Sequence, residues 1–194
     1  MLHPQLRLRW IDDDIGYGIF AAAWIPTGTI LWALDELDLV LPVEAARRLG
    51  PRYSSALERY GYRDAGGATV VCWDFAKYMN HSCQPNCVGP GHGLFDLALR
   101  ALEPGDEVTT DYGCLNIERS MRCLCRSPRC RGTVRPTDLE PIAAELDRQV
   151  GRAIAEMRNV PQALRPWVDP DLFQRTVNDL GSSPSVAAFQ VPAR

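Results

Sequence analysis

Apolar positions alternate with polar ones from Leu6 to Ile11, recur from Tyr17 to Ile25, and run almost unbroken from Thr29 to Leu34. Such stretches, set apart by Gly16, Gly18 and the turn Pro26-Thr27-Gly28, read as three strands of an opening β-meander. From Pro42 to about Tyr62 the period changes. Val43, Ala46 and Leu49, then Tyr53, Leu57 and Tyr60, recur every three or four residues, with Gly50-Pro51 between the two sets. Two short helices are predicted there. Strand character returns at Ala68–Phe75, Leu94–Ala101 and Glu107–Asp111, the last two joined by a turn at Pro104-Gly105. Near the end, Ile142, Leu146, Val150, Ala153, Ile154 and Met157 form one apolar stripe, which predicts a helix starting near Thr137 or Asp138. A shorter helix is expected from Pro170 to Leu180, presenting Leu172, Phe173, Thr176, Val177 and Leu180, with a frayed segment after Gly181. The fold class is mostly β with short helices.

The 194 residues suit one substantial core with an extension. With 46% hydrophobic and 23% charged residues the chain should fold as an ordinary globular protein. No apolar run approaches membrane-spanning length, and the charged N-terminal region lacks a signal-peptide core, so a cytoplasmic location without membrane partners is expected. A net charge of -3 gives no general drive toward nucleic acid and makes a cationic peptide a comfortable partner. Seven cysteines in such a compartment point to metal binding before disulfides.

Three of those thiols, Cys123, Cys125 and Cys130, fall within eight residues on a Pro- and Arg-rich loop with no apolar periodicity of its own. A structural zinc ion needs four ligands in a tetrahedron, so a fourth must come from elsewhere. Cys72, Cys83, Cys87 and Cys114 are the candidates, and spacing does not choose among them. Arg119, Arg122, Arg126, Arg129, Arg131 and Arg135 surround the loop. They suit counter-charge for zinc thiolates, and they lack the interleaved aromatics of a nucleic-acid clamp.

Asn80-His81-Ser82-Cys83-Gln84-Pro85-Asn86-Cys87 packs an amide, an imidazole, a hydroxyl and two thiols into one turn-rich stretch. Asp106 to Gly113 follows, ending a strand with Tyr112, and near the start Gly16-Tyr17-Gly18 offers glycines that let a ligand approach the backbone. Each fragment is common by itself. In this order, with the cysteine loop behind them, they resemble the SET domain of protein-lysine methyltransferases with its post-SET zinc loop, over roughly residues 6 to 132.

The resemblance implies small β-sheets around a pseudoknot-like core, with the asparagine-histidine segment threaded past the strand before the final tyrosine. A SET domain is expected at 1–117 with a helical insert at about 42–64, followed by a post-SET loop at 118–135; a helical extension at 136–180 and a tail at 181–194 lie beyond the resemblance. It implies S-adenosylmethionine bound by Gly16, Tyr17, Gly18, Lys77, Tyr78, Asn80, His81 and Tyr112. Lys77 stands where an arginine is commoner, which replaces a fork with a point charge. Tyr112 takes the place of the catalytic tyrosine. Cys83 takes the place of the fourth zinc ligand beside Cys123, Cys125 and Cys130, the ion serving structure rather than catalysis. Thr110, two residues before Tyr112, stands where many members carry an aromatic ring, which favours di- or trimethylation of the substrate lysine.

Two other readings use the same residues: a SET-like module that binds a peptide without turnover, and a zinc-stapled nucleic-acid-binding protein. The long apolar helix is expected to pack on its own domain, giving a monomer, or on a second copy, giving a homodimer. Trp167 and Phe173 are candidates to cover the cofactor or lysine channel.

Overall fold

The structure, a computed structural model, describes residues 1–178 and 183–191. In chain order the elements are β1 (Leu6–Asp12), β2 (Gly16–Ala21), β3 (Ile30–Ala33), β4 (Leu39–Leu41), α1 (Val43–Arg48), α2 (Pro51–Tyr60), β5 (Gly61–Arg63), β6 (Thr69–Val71), β7 (Asn80–His81) and β8 (Cys87–Val88). They continue with β9 (Phe95–Ala98), β10 (Glu107–Thr110), β11 (Met121–Arg122), β12 (Thr133–Val134), α3 (Leu139–Glu156) and α4 (Pro170–Asn178). The mostly-β reading with short helices holds. Predicted strands shrink at their ends, because the chain turns early: the stretch expected as Ala68–Phe75 stops at Val71, and Asp74 then caps a one-turn helix at Phe75–Tyr78 by accepting from the Ala76 N–H.

Among the described residues the strands form four small sheets, in the orders β1-β2-β10-β7, β3-β9-β8, β4-β6-β5 and β11-β12. One pairing positions the site. β7 lies parallel to β10, Asn80 opposite Thr109 and His81 opposite Thr110, although 25 residues of chain separate β7 from β10. The segment after β7 stays stitched to β10: the Ser82 N–H donates to the Thr110 carbonyl at 2.8 Å and the Asn86 N–H to the Thr109 carbonyl at 3.1 Å. The Asn86 side chain completes the seam, donating to the Glu107 carbonyl at 2.8 Å and accepting from the Thr109 N–H at 2.9 Å. β2 pairs with the earlier half of β10 through Phe20 and Ile19.

Two apolar cores flank this seam. Leu6, Ile19, Ile25, Leu31, Leu102 and Val108 fill one. In the other, Leu139, Leu146, Val150, Ala153 and Ile154 of α3 pack with Ile30, Phe95 and Leu97. The apolar stripe of the long helix is thereby covered by the chain's own core, each fully buried Leu, Val or Ile contributing roughly 1.5–3 kcal/mol. Gly28, at φ +84°, lets β3 approach this helix so closely that an added Cβ would stand 2.5 Å from the Ala153 carbonyl oxygen. Gln162 fastens the same junction, accepting from the Ile30 N–H at 2.9 Å and donating to the Gly28 carbonyl at 2.8 Å. Helices α1 and α2 bury no residue fully and stand at the surface as an insert.

The described part of the segment expected to fray is packed. Val186 and Phe189 are buried, the Ser185 hydroxyl and Val186 N–H donate to the Asp147 carboxylate, and Asn116 bridges the Phe189 carbonyl and the Val191 N–H. Residues 179–182 and 192–194 lie outside the described residues. None of the described helices is long and apolar enough to cross a membrane.

Candidate active site

The hairpin turn between β1 and β2 is built by Asp12, whose carboxylate accepts from the N–H groups of Asp14 and Ile15, and by Gly16 at φ +85°. It brings Tyr17 over β7. The Asn80 amide donates to the Tyr17 carbonyl at 3.0 Å and to the Glu107 carboxylate at 2.8 Å, joining hairpin, β7 and β10 at one point. Tyr112 follows immediately after β10. Its hydroxyl donates to the Met79 carbonyl at 2.9 Å and its N–H to His81 Nδ1 at 3.1 Å. A cleft of about 840 Å³ opens at this junction, lined by Gly16, Tyr17, Lys77, Tyr78, Asn80, His81 and Tyr112. That size is ordinary for a small-molecule site. Of the residues that sequence assigns to the cofactor, Gly18 alone stays out of the lining. Its missing side chain makes room for protein rather than ligand, since a Cβ there would meet Glu107 Oε1 at 2.7 Å and Asn80 Nδ2 at 2.9 Å.

Burial first, and the charge of Glu107 second, push the Tyr112 hydroxyl up to about 12. It is therefore a neutral donor near neutral pH, suited to orienting and unsuited to acting as a base. Trp10 and Tyr78 contact Tyr17 edge-on at 5.1 and 5.7 Å between ring centres, and Tyr60 contacts Tyr78 at 5.5 Å, making one wall aromatic. Lys77 donates to the Trp73 carbonyl at 3.0 Å and more loosely to that of Cys72. An ammonium has three donors, so one remains for a ligand.

Below this wall, His81 Nε2 and the sulfurs of Cys83, Cys123 and Cys125 lie within 4.8 Å of one another. Tetrahedral zinc with bonds of about 2.3 Å to sulfur sets its thiolates roughly 3.8 Å apart. The Cys83 and Cys123 sulfurs are 3.7 Å apart. Cys130, the fourth ligand named from the sequence, falls outside that tight group and is exposed, although its thiol still neighbours those of Cys123 and Cys125. The tautomer of His81 decides between the two. Burial lowers its pKa despite the opposing charge of Asp111, leaving it neutral, and a neutral imidazole has one donor and one acceptor. Nδ1 accepts from the Tyr112 N–H, so Nε2 bears the hydrogen and points it at Cys83 Sγ, 3.3 Å away. His81 thus donates to a sulfur, and a four-thiol set closed by Cys130 fits zinc better. Opposing burial, N–H groups of Cys83 and Ser127 and the neighbouring thiols bring Cys125 down to about 7, toward the thiolate that a metal requires.

The cysteine loop is also held by its arginines. Arg126 pairs with Asp12 at 2.7 Å, and the Arg131 guanidinium reaches the fully buried Asp111 at 2.8 Å while the Arg131 backbone N–H donates to Cys83 Sγ. The sequence reading treats these arginines as a group of counter-charges. It does not single out Arg131, the aromatic residues Trp10, Tyr60 and Tyr62, or Phe189, all but Arg131 on the cleft wall. No spacing signal marks them, because each arrives from a different element. Trp167 and Phe173 do not line the cleft, which overturns their assignment as covers. Phe173 is buried in the α3 core with Arg165 over its ring, and Trp167 stands half-exposed at the surface.

The chain's relatives bear on this geometry. The Drosophila melanogaster histone-lysine N-methyltransferase ash1 is 30% identical over 138 residues, 65% of this chain and 6% of that protein. The Arabidopsis thaliana histone-lysine N-methyltransferase ATX2 is 35% identical over 142 residues, 68% of this chain and 13% of that protein. The chain therefore spans a small fraction of the length of these relatives. The methyltransferase domain of human histone-lysine N-methyltransferase SETMAR shares the fold with a TM-score of 0.53 at 19% identity, over 69% of this chain and 59% of that one. Residues 16–113 match the SET domain. With half its length accounted for in this way, and with the hairpin turn, β7 and Tyr112 meeting at one cleft, the chain belongs to the SET domain family.

Proposed function

We propose that this protein transfers methyl groups from S-adenosylmethionine to a lysine amine of a protein substrate. The observation that carries the reading is the convergence of Tyr17, Asn80 and the Tyr112 hydroxyl on one cleft, within a chain whose relatives are named histone-lysine methyltransferases. S-adenosylmethionine, when bound, supplies a methyl group on a sulfonium that is ready to be displaced. The protein's part is to bind and align. Gly16, Tyr17, Lys77, Tyr78, Asn80 and His81 would hold the donor, the spare hydrogen of Lys77 facing its carboxylate. The Tyr112 hydroxyl and the Met79 carbonyl would fix the direction from which the amine approaches.

A free lysine of pKa about 10.4 costs about 4 to 5 kcal/mol to deprotonate at neutral pH. The aromatic walls of the cleft disfavour its charged form and reduce that cost, so no strong base is required. Orientation then supplies much of the acceleration. Thr110, buried and lining the cleft, leaves room that a ring in its place would fill, which favours di- or trimethyl products. Cys83, Cys123, Cys125 and Cys130 would hold zinc as a staple that closes residues 123–130 over the cleft.

The test is incubation with methyl-labelled donor and a lysate, followed by mass spectrometry of the modified residue. Labelled lysine with the parent protein and a large loss with Tyr112→Phe is the expected outcome. Absence of labelled lysine on every protein, with the donor demonstrably bound, would leave a silent binding module in its place. Monomethyl product alone, on every accepted substrate, overturns the Thr110 argument.

A further inference from the structure

One stretch of the cleft wall carries side chains to which the methyl-transfer reading gives no role. Trp32 on β3 and Asp96 on β9 are partners across the sheet, and both line the cleft with Tyr62 of β5 and Phe189 of the C-terminal segment. The Trp32 and Tyr62 rings stand nearly perpendicular at 6.1 Å, and the Phe189 ring meets Tyr62 at 6.3 Å and 44°. Asp96 is ringed by protein yet keeps part of its surface open to the cleft. Among the described residues its one protein partner is the Gly89 N–H. It takes part in none of the ion pairs among the described residues. The Trp32 indole N–H is buried and also lacks a partner among the described residues.

A carboxylate in apolar surroundings is costly unless a cation meets it. Three aromatic rings beside it favour a cation that is flat and weakly hydrated. An arginine side chain is the peptide-borne cation of that kind. Neither Trp32 nor Asp96 takes part in the hydrogen bonds that join Tyr17, Asn80, Glu107, Met79 and Tyr112.

We infer that Trp32, Tyr62, Asp96 and Phe189 form a subsite that holds an arginine side chain of the substrate, flanking the lysine to be methylated. The inference rests on the methyl-transfer reading for the neighbouring lysine, but the subsite is measurable without turnover. The guanidinium would fork onto Asp96 while stacking on the rings, so the subsite sets which lysines are accepted.

The experiment uses synthetic single-lysine peptides, identical except for arginine or glutamine at each flanking position in turn. Their binding to the full chain is measured by titration calorimetry and their methylation by mass spectrometry. At one position arginine is expected to bind more tightly than glutamine by on the order of tenfold, the worth of a charged hydrogen bond. Asp96→Asn should bring that ratio close to one while leaving the glutamine peptide's affinity in place, and Phe189→Leu should reduce it in part. The idea is overturned if arginine confers no advantage at any position, if Asp96→Asn weakens both peptides alike, or if the preference survives that change. Arginine-selective binding without methylation would sink the transfer reading and leave the subsite standing. Methylation indifferent to flanking arginine would do the reverse.

Discussion

Asn86 is the side chain on which the crossing of β7 and β10 most depends, and its replacement gives a worked prediction. It is 5% exposed, its amide donates to the Glu107 carbonyl at 2.8 Å, and its oxygen accepts from the Thr109 N–H at 2.9 Å. Asn86→Ala removes both bonds and leaves a backbone acceptor and a backbone donor unpaired inside the seam. At about 1–3 kcal/mol for each of the two groups stranded away from water, the loss is about 2–6 kcal/mol. Asn86→Asp keeps the acceptor but sets a carboxylate oxygen against the Glu107 carbonyl, acceptor against acceptor. Protonation restores a donor, so the introduced carboxyl has a folded pKa above its unfolded value of about 3.9. The folded state then binds more protons than the unfolded one, and the penalty of this variant grows as pH rises from about 4 toward neutrality. Urea titrations of the parent and both variants at the two ends of that range measure these differences. An alanine variant within about 0.5 kcal/mol of the parent, or an aspartate variant as stable as the parent at neutral pH, would refute the claim that this amide locks the crossing.

Three further outcomes follow from the same geometry. Gly18→Ala places a methyl 2.7 Å from Glu107 Oε1 and 2.9 Å from Asn80 Nδ2, so it should lower stability by about 1–3 kcal/mol and weaken binding of S-adenosylmethionine; unchanged melting and calorimetric affinity would contradict this. Burial raises Asp96 from 3.8 to about 7, so the folded state holds its proton longer than the unfolded one. The parent should lose stability as pH rises from about 4 to about 7, by at most about 4 kcal/mol at 1.36 kcal/mol per unit, and Asp96→Asn should flatten that slope in urea midpoints. The protein should carry one zinc ion, and its removal by a chelator, or Cys123→Ser, should lower the melting temperature and open the loop to trypsin at Arg126 and Arg129. Unaltered cleavage in the chelated protein would count against the four-thiol site.

What the sequence by itself determined here is what neighbours in the chain can encode. The apolar stripe of α3 follows from side chains repeating at helical period, the strands β1 to β3 from short apolar runs between glycine turns, and the sulfur-rich loop from thiols with no core of their own. Order along the chain, from Gly16 through Asn80 and Tyr112 to Cys130, was enough to point to the family. Tertiary structure decided the rest. Two-residue strands such as β7 and β8 hold no period to detect, and the partner of β7 comes from pairing across a long stretch of chain. Cys130 was named from the family's pattern, but the reason His81 does not take its place, an Nε2 proton set by the N–H of Tyr112 31 residues away, is visible only in the fold. The wall made by Trp32, Tyr62, Asp96 and Phe189 draws on four separate elements, and the last lies in a segment whose composition reads as loose. Propensity and period act over a few residues, whereas the pKa of a carboxyl or the partner of an indole is set by whatever the folded chain places within a few ångströms of it.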